Sequence, residues 1–355
     1  MSESPTTIAF LLPPPDQRRG GIDLAVDGLR AALEACGVRV MVDPAEPEVA
    51  DAYHFHGIWQ PGHARFYRFC AERGVRYFVS PHGMLEPWAR RSKWWKKKPY
   101  YLMRERRHLR GAAGIFATGA MERQNLLALL PRCAPHSIPL GLDTDPGCDY
   151  AAARAALGWA EGERVLLFLS RIDRKKGLDL LLRALVSLPE RDRASLRLAV
   201  VGDGDARLTA ALQRFCAARG GALPRIDWVG PVWGAEKWRY LQGADLFVLP
   251  SHSENFGLAV LEALRVGTPV LTSDATPWVQ WGGREDICIV PPRVDRIASG
   301  IRTCLQCAIP RDESEREATR RWSRETFDWA KLAADYLSVY RGAGGSPAAA
   351  GIPAG

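Results

Sequence analysis

Short apolar runs alternate with helical patterns along most of the chain. In the first half, apolar residues recur at helical spacing between Leu29 and Cys36. Strands that alternate with helices predict parallel sheets with right-handed crossovers. The strands predicted for this half are Ile8 to Leu12, Val38 to Val42, Ala52 to Phe55, Arg76 to Ser80 and Gly114 to Thr118.

The alternation stops once and then restarts. Pro139 to Gly147 is rich in proline and glycine and is interpreted as a linker. The strands predicted after it are Arg164 to Ser170, Leu196 to Val201, Ile226 to Val229, Leu246 to Leu249, Pro269 to Thr272 and Ile287 to Val290. The fold class is therefore α/β, with two Rossmann-like, doubly wound domains that we expect to face each other across a cleft. We place them at residues 1–142 and 143–325, and we expect residues 342–355 to be a disordered tail.

Composition excludes several classes of protein. The chain has 355 residues, of which 47% are hydrophobic and 25% charged, so it is neither disordered, collagen-like nor stapled by disulfides. Its longest apolar run is far shorter than the ~20 residues of a membrane-spanning helix. The first residues lack the basic region of a signal peptide, and we expect a cytoplasmic protein. The eight cysteines have no repeated spacing, and the pair Cys304 and Cys307 lacks the partners of a zinc site.

The net charge of +8 is concentrated in one segment, Arg90 to Arg110. Its basic side chains alternate with Trp and Tyr, a composition that suits an anionic membrane surface on the inner face of the membrane. A solvated helix face with core aromatics, or a contact with nucleic acid, would use the same residues. The predicted membrane-surface residues are Lys93, Trp94, Trp95, Lys96, Lys97 and Lys98.

Candidate ligand-binding loops follow the predicted strands. Open parallel sheets bind ligands outside the carboxyl ends of their strands. The loops selected by this rule are Gly20-Gly21, His56-Gly57, His82-Gly83, Arg171 to Lys176, Gly202 to Gly204, Gly230 to Val232 and Ser251 to Gly257.

Features of these loops favour a phosphate-bearing ligand. Arg171 and Lys176 directly follow a strand and could neutralise a diphosphate. Gly257 opens a predicted helix, Leu258 to Val266, whose free backbone N–H groups favour an anion. Glu254 lies before this helix and Glu262 within it, so one carboxylate could face a ligand while the other accepts hydroxyl groups. A loop glutamate and an ordinary exposed helix glutamate would give the same spacing.

These motifs resemble those of a known family. Ser251 to Leu264 is similar to the EX7E signature of the retaining GT-B glycosyltransferases of family 4, also called glycosyl transferases group 1. Ser170 to Gly177 is similar to the family's R-x4-K-G loop, and Val201 to Gly204 and Gly267 to Val270 follow in the family's order. The first half matches more loosely, through His54 to Gly57, Ser80 to Met84 and Pro139 to Asp143. Ala275 to Trp278 departs from the family, in which many members have Gly-Gly.

The resemblance implies the GT-B fold, in which a C-terminal helix at about 326–341 packs back on the first domain. It also implies transfer of a hexosyl unit from a UDP- or GDP-sugar to a glycan or lipid-linked acceptor, with retention of anomeric configuration. The implied catalytic residues are His82, Arg171, Lys176 and Glu254. The implied donor-binding residues are Gly20, Gly21, Gly202, Pro231, Val232, Asn255, Phe256, Gly257, Leu258 and Glu262, and His56 is placed on the acceptor or sugar side.

No metal or other cofactor is expected, because the two DxD tripeptides, Asp143 to Asp145 and Asp203 to Asp205, are interpreted as turns. The implied role is the biosynthesis of cell-surface polysaccharide or lipopolysaccharide. One alternative is a nucleotide-sugar epimerase or hydrolase on the same fold, which would turn over without an acceptor. The other is a basic nucleic-acid-binding protein, which would bind polynucleotide whether or not Glu254 and Glu262 were intact; we expect no nucleic-acid partner.

Overall fold

The computed structural model describes residues 6–15, 21–48, 50–91, 94–307 and 312–342. The predicted site residues Gly20 and Lys93, and the side chains of Trp94 and Lys96, lie outside this part of the chain, as does the predicted tail after Gly342. The chain divides into two compact units. One comprises Met1–Asp143 with Phe327–Gly355, and the other comprises Thr144–Thr326.

The first unit is built on a parallel sheet with the strand order β2-β1-β3-β4-β5-β6. Its central strands are buried along their whole length, as expected when helices cover both faces of a sheet. The strands are β1 (Thr7–Leu11), β2 (Arg39–Val42), β3 (Ala52–His56), β4 (Arg76–Ser80), β5 (Gly114–Ala117) and β6 (Pro135–Ser137). The helices are α1 (Ile22–Ala35), α2 (Ala64–Arg73), α3 (Pro87–Arg91), α4 (Trp94–Tyr100), α5 (Arg106–Gly111) and α6 (Ala120–Leu129).

The second unit has a parallel sheet with the order β12-β11-β10-β7-β8-β9. Its strands are β7 (Arg164–Leu169), β8 (Leu196–Val201), β9 (Arg225–Gly230), β10 (Leu246–Leu249), β11 (Val270–Ser273) and β12 (Ile287–Val290). Its helices are α7 (Tyr150–Ala156), α8 (Leu178–Val186), α9 (Glu190–Arg193), α10 (Ala206–Ala217), α11 (Gly234–Gly243), α12 (Leu258–Arg265), α13 (Val294–Cys307) and α14 (Glu313–Thr326).

The two sheets confirm the predicted fold class. Each predicted strand has a counterpart whose ends differ by no more than one residue. The strand β6 (Pro135–Ser137) was missed, because its three residues begin with a proline and contain no apolar run. Among the described residues, no helix is long and apolar enough to cross a membrane.

The helix predicted at about 326–341 is present, and it begins at Trp329. Helix α14 ends at Thr326, and a new helix, α15 (Trp329–Arg341), begins after Asp328, whose carboxylate accepts from the N–H of Ala330. The aspartate cap fixes the start of α15, which periodicity cannot show. Helix α15 belongs to the first unit, where it packs against α1.

Glycines allow α15 to approach α1 closely. A Cβ atom at Gly28 would lie 2.1 Å from the indole nitrogen of Trp329, and a Cβ at Gly141 would lie 2.6 Å from the same ring. At the other end of the helix, the hydroxyl of Tyr340 lies 2.6 Å from Nδ1 of the buried His54. The C-terminal helix is therefore part of the packing of the first sheet.

The basic segment is helical but irregular. Helix α4 contains Pro99, which has no N–H to donate, and the following turn, Tyr101–Glu105, is π-helical. The side chains of Trp95, Leu102 and Met103 are 61%, 53% and 73% exposed. This segment therefore presents apolar as well as basic side chains to solvent.

Candidate functional site

The order of the strands selects one place in each sheet for a ligand. In the second sheet β7 and β10 are neighbours, and the chain winds outward from them in both directions. In the first sheet β1 and β3 are the corresponding neighbours, and the chain again winds outward from them in both directions. Such points of reversal are where open parallel sheets bind ligands.

The loops after β7 and β10 bring Lys176 and Glu254 together. The Nζ atom of Lys176 lies 2.7 Å from Oε1 of Glu254. The hydroxyl of Ser251 donates to the same oxygen at 2.7 Å. Lys176 ends a 3₁₀ turn, Arg174–Lys176, that is capped by the carboxylate of Asp173. The family-like residues therefore form one hydrogen-bonded group in a largely buried position.

The charge state of Glu254 follows from these contacts. Burial by itself raises the pKa of this carboxyl, but the positive charges of Lys176 and Lys175 lower it. The hydrogen bonds from Lys176 and Ser251 act in the same direction, and the pKa lies below its ordinary value. Glu254 is therefore a carboxylate at neutral pH, and Lys176 is the cation that compensates it.

Glu262 has a partner that the sequence did not reveal. Its Oε1 accepts a hydrogen bond of 2.8 Å from Nζ of Lys237 on helix α11. Burial raises the pKa of Glu262, and Lys237 opposes that rise without cancelling it. Glu262 and Glu254 thus lie in different electrostatic environments although both are buried and each contacts a lysine.

The start of helix α12 is held by a buried tryptophan. Gly257 precedes the helix with φ of 81°, and a Cβ there would lie 3.3 Å from the indole nitrogen of Trp278. The same nitrogen donates to the carbonyl oxygen of Phe256 at 2.7 Å. Trp278 lies in the loop that departs from the family's Gly-Gly. Its hydrogen bond to Phe256 therefore stabilises the loop that carries Glu254.

The remaining predicted residues of the second unit lie in the loops that follow its strands, except Leu258, which is the first residue of α12. Arg171 is exposed just after β7, and Pro231 and Val232 connect β9 to α11. Asn255 and Leu258 are partly exposed, whereas the side chain of Phe256 is buried in the core. Gly202 has φ of 129°, and a Cβ there would lie 2.1 Å from the carbonyl oxygen of Ser170. The glycine is needed for the close approach of two loops.

The predicted histidines of the first unit are also in contact. Nδ1 of His56 lies 3.1 Å from Nε2 of His82, and the two rings are stacked. His82 has φ of 49°, a left-handed conformation that is uncommon for a residue with a side chain and occurs preferentially at functional sites. Gly21 precedes α1 with φ of 89°. These residues follow β4, β3 and β1, at the reversal point of the first sheet.

Burial keeps these histidines neutral. It lowers the pKa of His82 to about 4. It also lowers the pKa of His56 well below its ordinary value, and the neighbouring histidines lower that pKa further. Nε2 of His56 is buried and has no hydrogen-bond partner among the described residues. A neutral imidazole can accept or donate a proton in a hydrogen bond, so the pair suits recognition of hydroxyl groups.

Glu122 fixes the turn that carries His82. One carboxylate oxygen accepts from the N–H of Gly83 at 2.8 Å, and the other accepts from the N–H and hydroxyl of Thr118. Glu122 is buried at the start of helix α6. It therefore ties the loop after β4 to the loop after β5.

The DxD tripeptides have structural partners. Asp205 caps helix α10 by accepting from the N–H groups of Arg207 and Leu208. Asp145 accepts from the N–H of Gly147 and pairs with Arg324. Both tripeptides therefore lie in connecting segments outside the helices and named strands.

Lys237, Trp278 and Glu122 were missed as site residues. No local pattern distinguishes Lys237 or Glu122 from other charged residues on helices. For Trp278 a signal existed, since it lies in the segment Ala275 to Trp278, where many members of the family have Gly-Gly. A tryptophan in a loop after a buried strand indicates that the loop packs against the site.

Two family models match the chain. The model of the glycosyl transferases group 1 matches residues 149–322, and that of a glycosyl transferase 4-like domain matches residues 9–141. A D-inositol 3-phosphate glycosyltransferase of Nocardia farcinica is 39% identical over 145 residues, which are 39% of this chain and 32% of that protein. Such curated relatives are matched over only about a third to a half of their own length.

Solved structures show the same fold. A sucrose-phosphate synthase from Thermosynechococcus elongatus has a TM-score of 0.76 and 21% identity, over 95% of this chain and 99% of that chain. The HepE protein of Anabaena, in complex with UDP and glucose, has a TM-score of 0.72 and 17% identity, over 95% of this chain and all of that chain. At these identities the likeness establishes the fold. The two family matches place the chain among the glycosyl transferases of group 1, and the likeness to solved structures shows that it has the GT-B fold.

Proposed function

We propose that the protein is a retaining glycosyltransferase that moves a hexosyl unit from a nucleotide-diphosphate sugar to a glycan or lipid-linked acceptor. The observation that carries this proposal is the pair of Lys176 and Glu254 beside the start of helix α12, at the reversal point of the second sheet. A fixed cation and a helix N-terminus at one place suit a diphosphate. Family membership supports the reaction class.

The proposed roles follow from the charges that the reaction develops. Breaking the bond between the sugar and phosphate builds negative charge on the leaving diphosphate and positive charge on the sugar ring. Lys176 and the exposed Arg171 would stabilise the diphosphate, and Glu254 would contact the sugar. Glu262, whose carboxylate is held by Lys237, would accept the ribose hydroxyls. From the first unit, His82 is the residue proposed to take part in catalysis.

The first nucleotide to test is UDP. The HepE structure contains UDP and glucose, which supports a UDP-sugar as donor for this chain. Titration calorimetry with UDP, GDP and ADP, each with and without EDTA, would identify the base and test whether binding needs a metal. We expect EDTA-insensitive binding of UDP that Lys176→Ala abolishes.

The control is the neighbouring cation Arg174, which is exposed and lies on the same turn. Arg174→Ala should bind UDP like the wild type. If none of the three nucleotides binds to the folded protein, the proposed donor site is wrong. Product release from UDP-glucose that needs no acceptor would instead favour hydrolysis.

We also propose that the protein works at an anionic membrane surface, in the biosynthesis of cell-surface polysaccharide or lipopolysaccharide. The support is the basic segment, in which the exposed Trp95 lies near the exposed Lys98. Co-sedimentation with vesicles that contain phosphatidylglycerol should be strong at low salt and weak at high salt. No binding at low salt would contradict this part of the proposal.

A further inference from the structure

A cavity of about 700 Å³ lies in the first unit beside the basic segment. It is bounded by the loop after β3, the chain after β4 with helix α3, helix α4 with the π-helical turn that continues it, and helix α6. Its volume is within the range of about 300–1,000 Å³ that is typical of small-molecule sites. Its larger apolar lining residues are Trp59, Leu85, Leu102 and Leu129, and the basic ones are Arg90, Lys97 and Lys98.

The charged residues of the lining are all of one sign. Arg90 and Lys98 are exposed, and Lys97 is fixed by a hydrogen bond of 2.6 Å from its ammonium group to the carbonyl oxygen of Ala89. No carboxylate is among the described residues that line the cavity. An anionic group would therefore be attracted to the cavity, while the apolar walls favour a hydrocarbon.

Two buried polar atoms belong to residues of the lining. Nε1 of Trp59 and the hydroxyl of Tyr101 have no hydrogen-bond partner among the described residues. Trp59 also adopts φ of 70°, which is strained for a residue with a bulky side chain. Both atoms can donate a hydrogen bond, but as buried atoms they do not themselves reach the surface of the cavity.

Glu105 lies close to the cavity but opposes an anion only weakly. Its carboxylate accepts from the backbone N–H of Trp59, and burial raises its pKa to about 7. At neutral pH about half of the molecules carry a protonated Glu105. The positive charge of the lining residues is therefore larger than the negative charge of Glu105.

A ligand could reach the cavity from a lipid surface. Leu102, which lines the cavity, is more than half exposed, and the neighbouring Met103 is 73% exposed. Apolar side chains exposed next to basic ones are typical of surfaces that contact lipid.

We propose that this cavity binds a phosphate-bearing lipid. The alkyl or isoprenoid chain would lie among Trp59, Leu102 and Leu129, and the phosphate would contact Arg90 and Lys98. This inference rests on the proposed function, because the phosphate-bearing lipid would be the lipid-linked acceptor or a lipid of the membrane that holds it.

The test is binding of single-chain alkyl phosphates, from hexyl to dodecyl, to the full chain below their micelle concentrations. Titration calorimetry should show one ligand per chain, with Kd falling about fourfold per added methylene until the cavity is filled. Dodecyl maltoside, which has the same chain and a neutral head, should bind at least tenfold more weakly than dodecyl phosphate. Equal affinity for the two, or for inorganic phosphate and dodecyl phosphate, would overturn the proposal.

Matched variants separate the cavity from the exposed surface around it. Arg90→Ala should weaken dodecyl phosphate about tenfold, whereas Arg107→Ala, on the same segment but outside the lining, should not. Leu102→Asp should weaken it further, whereas Met103→Asp should leave it within about twofold. Equal losses in both members of either pair would show adsorption to the surface and would overturn the cavity.

The outcome is independent of the donor site. UDP binding is proposed to depend on Lys176 in the other unit, so a UDP titration of each variant reports on the donor site, and circular dichroism checks the fold of the first unit. UDP binding without alkyl-phosphate binding would contradict the cavity alone. Alkyl-phosphate binding without nucleotide binding would contradict the proposed donor site alone.

Discussion

Lys176 and Glu254 are 78 positions apart in the sequence and form an ion pair of 2.7 Å in the second unit. The pair exists because β7 and β10 are neighbours in the sheet, so the loops after them meet at one edge. Both side chains are largely buried, with 16% and 7% of their surface exposed. The cation proposed to bind a diphosphate therefore also neutralises the carboxylate proposed to contact the sugar.

Replacing Lys176 should damage stability and activity separately. Lys176→Met leaves Glu254 buried without its cation, which we expect to cost about 3–5 kcal/mol in the free energy of unfolding. Turnover of the donor should fall about 100-fold or more, because one fixed charge at the diphosphate is lost. Urea unfolding and single-turnover kinetics measure the two effects.

The double variant Lys176→Met with Glu254→Gln is the control. It removes both charges, so much of the lost stability should return while activity stays low. A double variant as unstable as the single one would mean that the pair is not the source of the loss.

Lys237 should control how Glu262 binds a ribose. Without the lysine, the pKa of Glu262 should rise further, because burial is no longer opposed. In Lys237→Met the carboxyl is then protonated over a wider pH range and is a poorer acceptor for hydroxyl groups. We expect Kd for UDP to rise about tenfold at pH 6 and less at pH 8.

Arg239→Met is the matched control, since Arg239 is an exposed cation on the same helix. It should change the UDP affinity less than about twofold at either pH. An equal effect of the two variants would mean that Lys237 acts only through the general positive charge of the helix.

Glu122 should act on the reaction by positioning His82. In Glu122→Gln only one oxygen remains as an acceptor, so the N–H of Gly83 and the N–H of Thr118 cannot both be bound as they are now. We expect kcat to fall about tenfold or more while KM for the donor changes less than twofold. Steady-state kinetics on material with wild-type circular dichroism measures this difference, and a parallel change of KM would contradict it.

Glu105 should lower the stability of the protein at alkaline pH. Its pKa of about 7 lies above the ordinary value, so the native state binds the proton more tightly than the unfolded chain does. The free energy of unfolding therefore falls as pH rises from about 4.5 through 7. Glu105→Gln should remove this loss and be about 2–3 kcal/mol more stable relative to the wild type at pH 8 than at pH 4.5.

Glu72→Gln serves as the comparison, because Glu72 is an exposed glutamate of the same unit. It removes an exposed carboxyl from the same unit, so it shows what loss of a glutamate does when no burial is involved. Urea unfolding at the two pH values, followed by tryptophan fluorescence, measures both variants. A constant difference between Glu105→Gln and the wild type would show that the pKa of Glu105 is the same in the native and unfolded states, and would contradict the prediction.

Local pattern was sufficient for the sheets and for most of the candidate loops. Apolar runs such as Leu196 to Val201 become buried strands because parallel strands covered by helices on both faces must be apolar along their length. Once the strands are known, the loops at their carboxyl ends are known too. This is why Lys176 and Glu254 could be selected before their contact was seen.

The partners of the site residues were decided by tertiary structure alone. Lys237 reaches Glu262 because α11 and α12 pack together, and Tyr340 reaches His54 across 286 positions because α15 returns to the first unit. The described residues that line the cavity beside Trp59 likewise come from four separate stretches of the chain. Hydrophobic periodicity reports which side of an element is buried. It does not report which distant element covers that side, because this depends on the strand order and the packing of the whole unit.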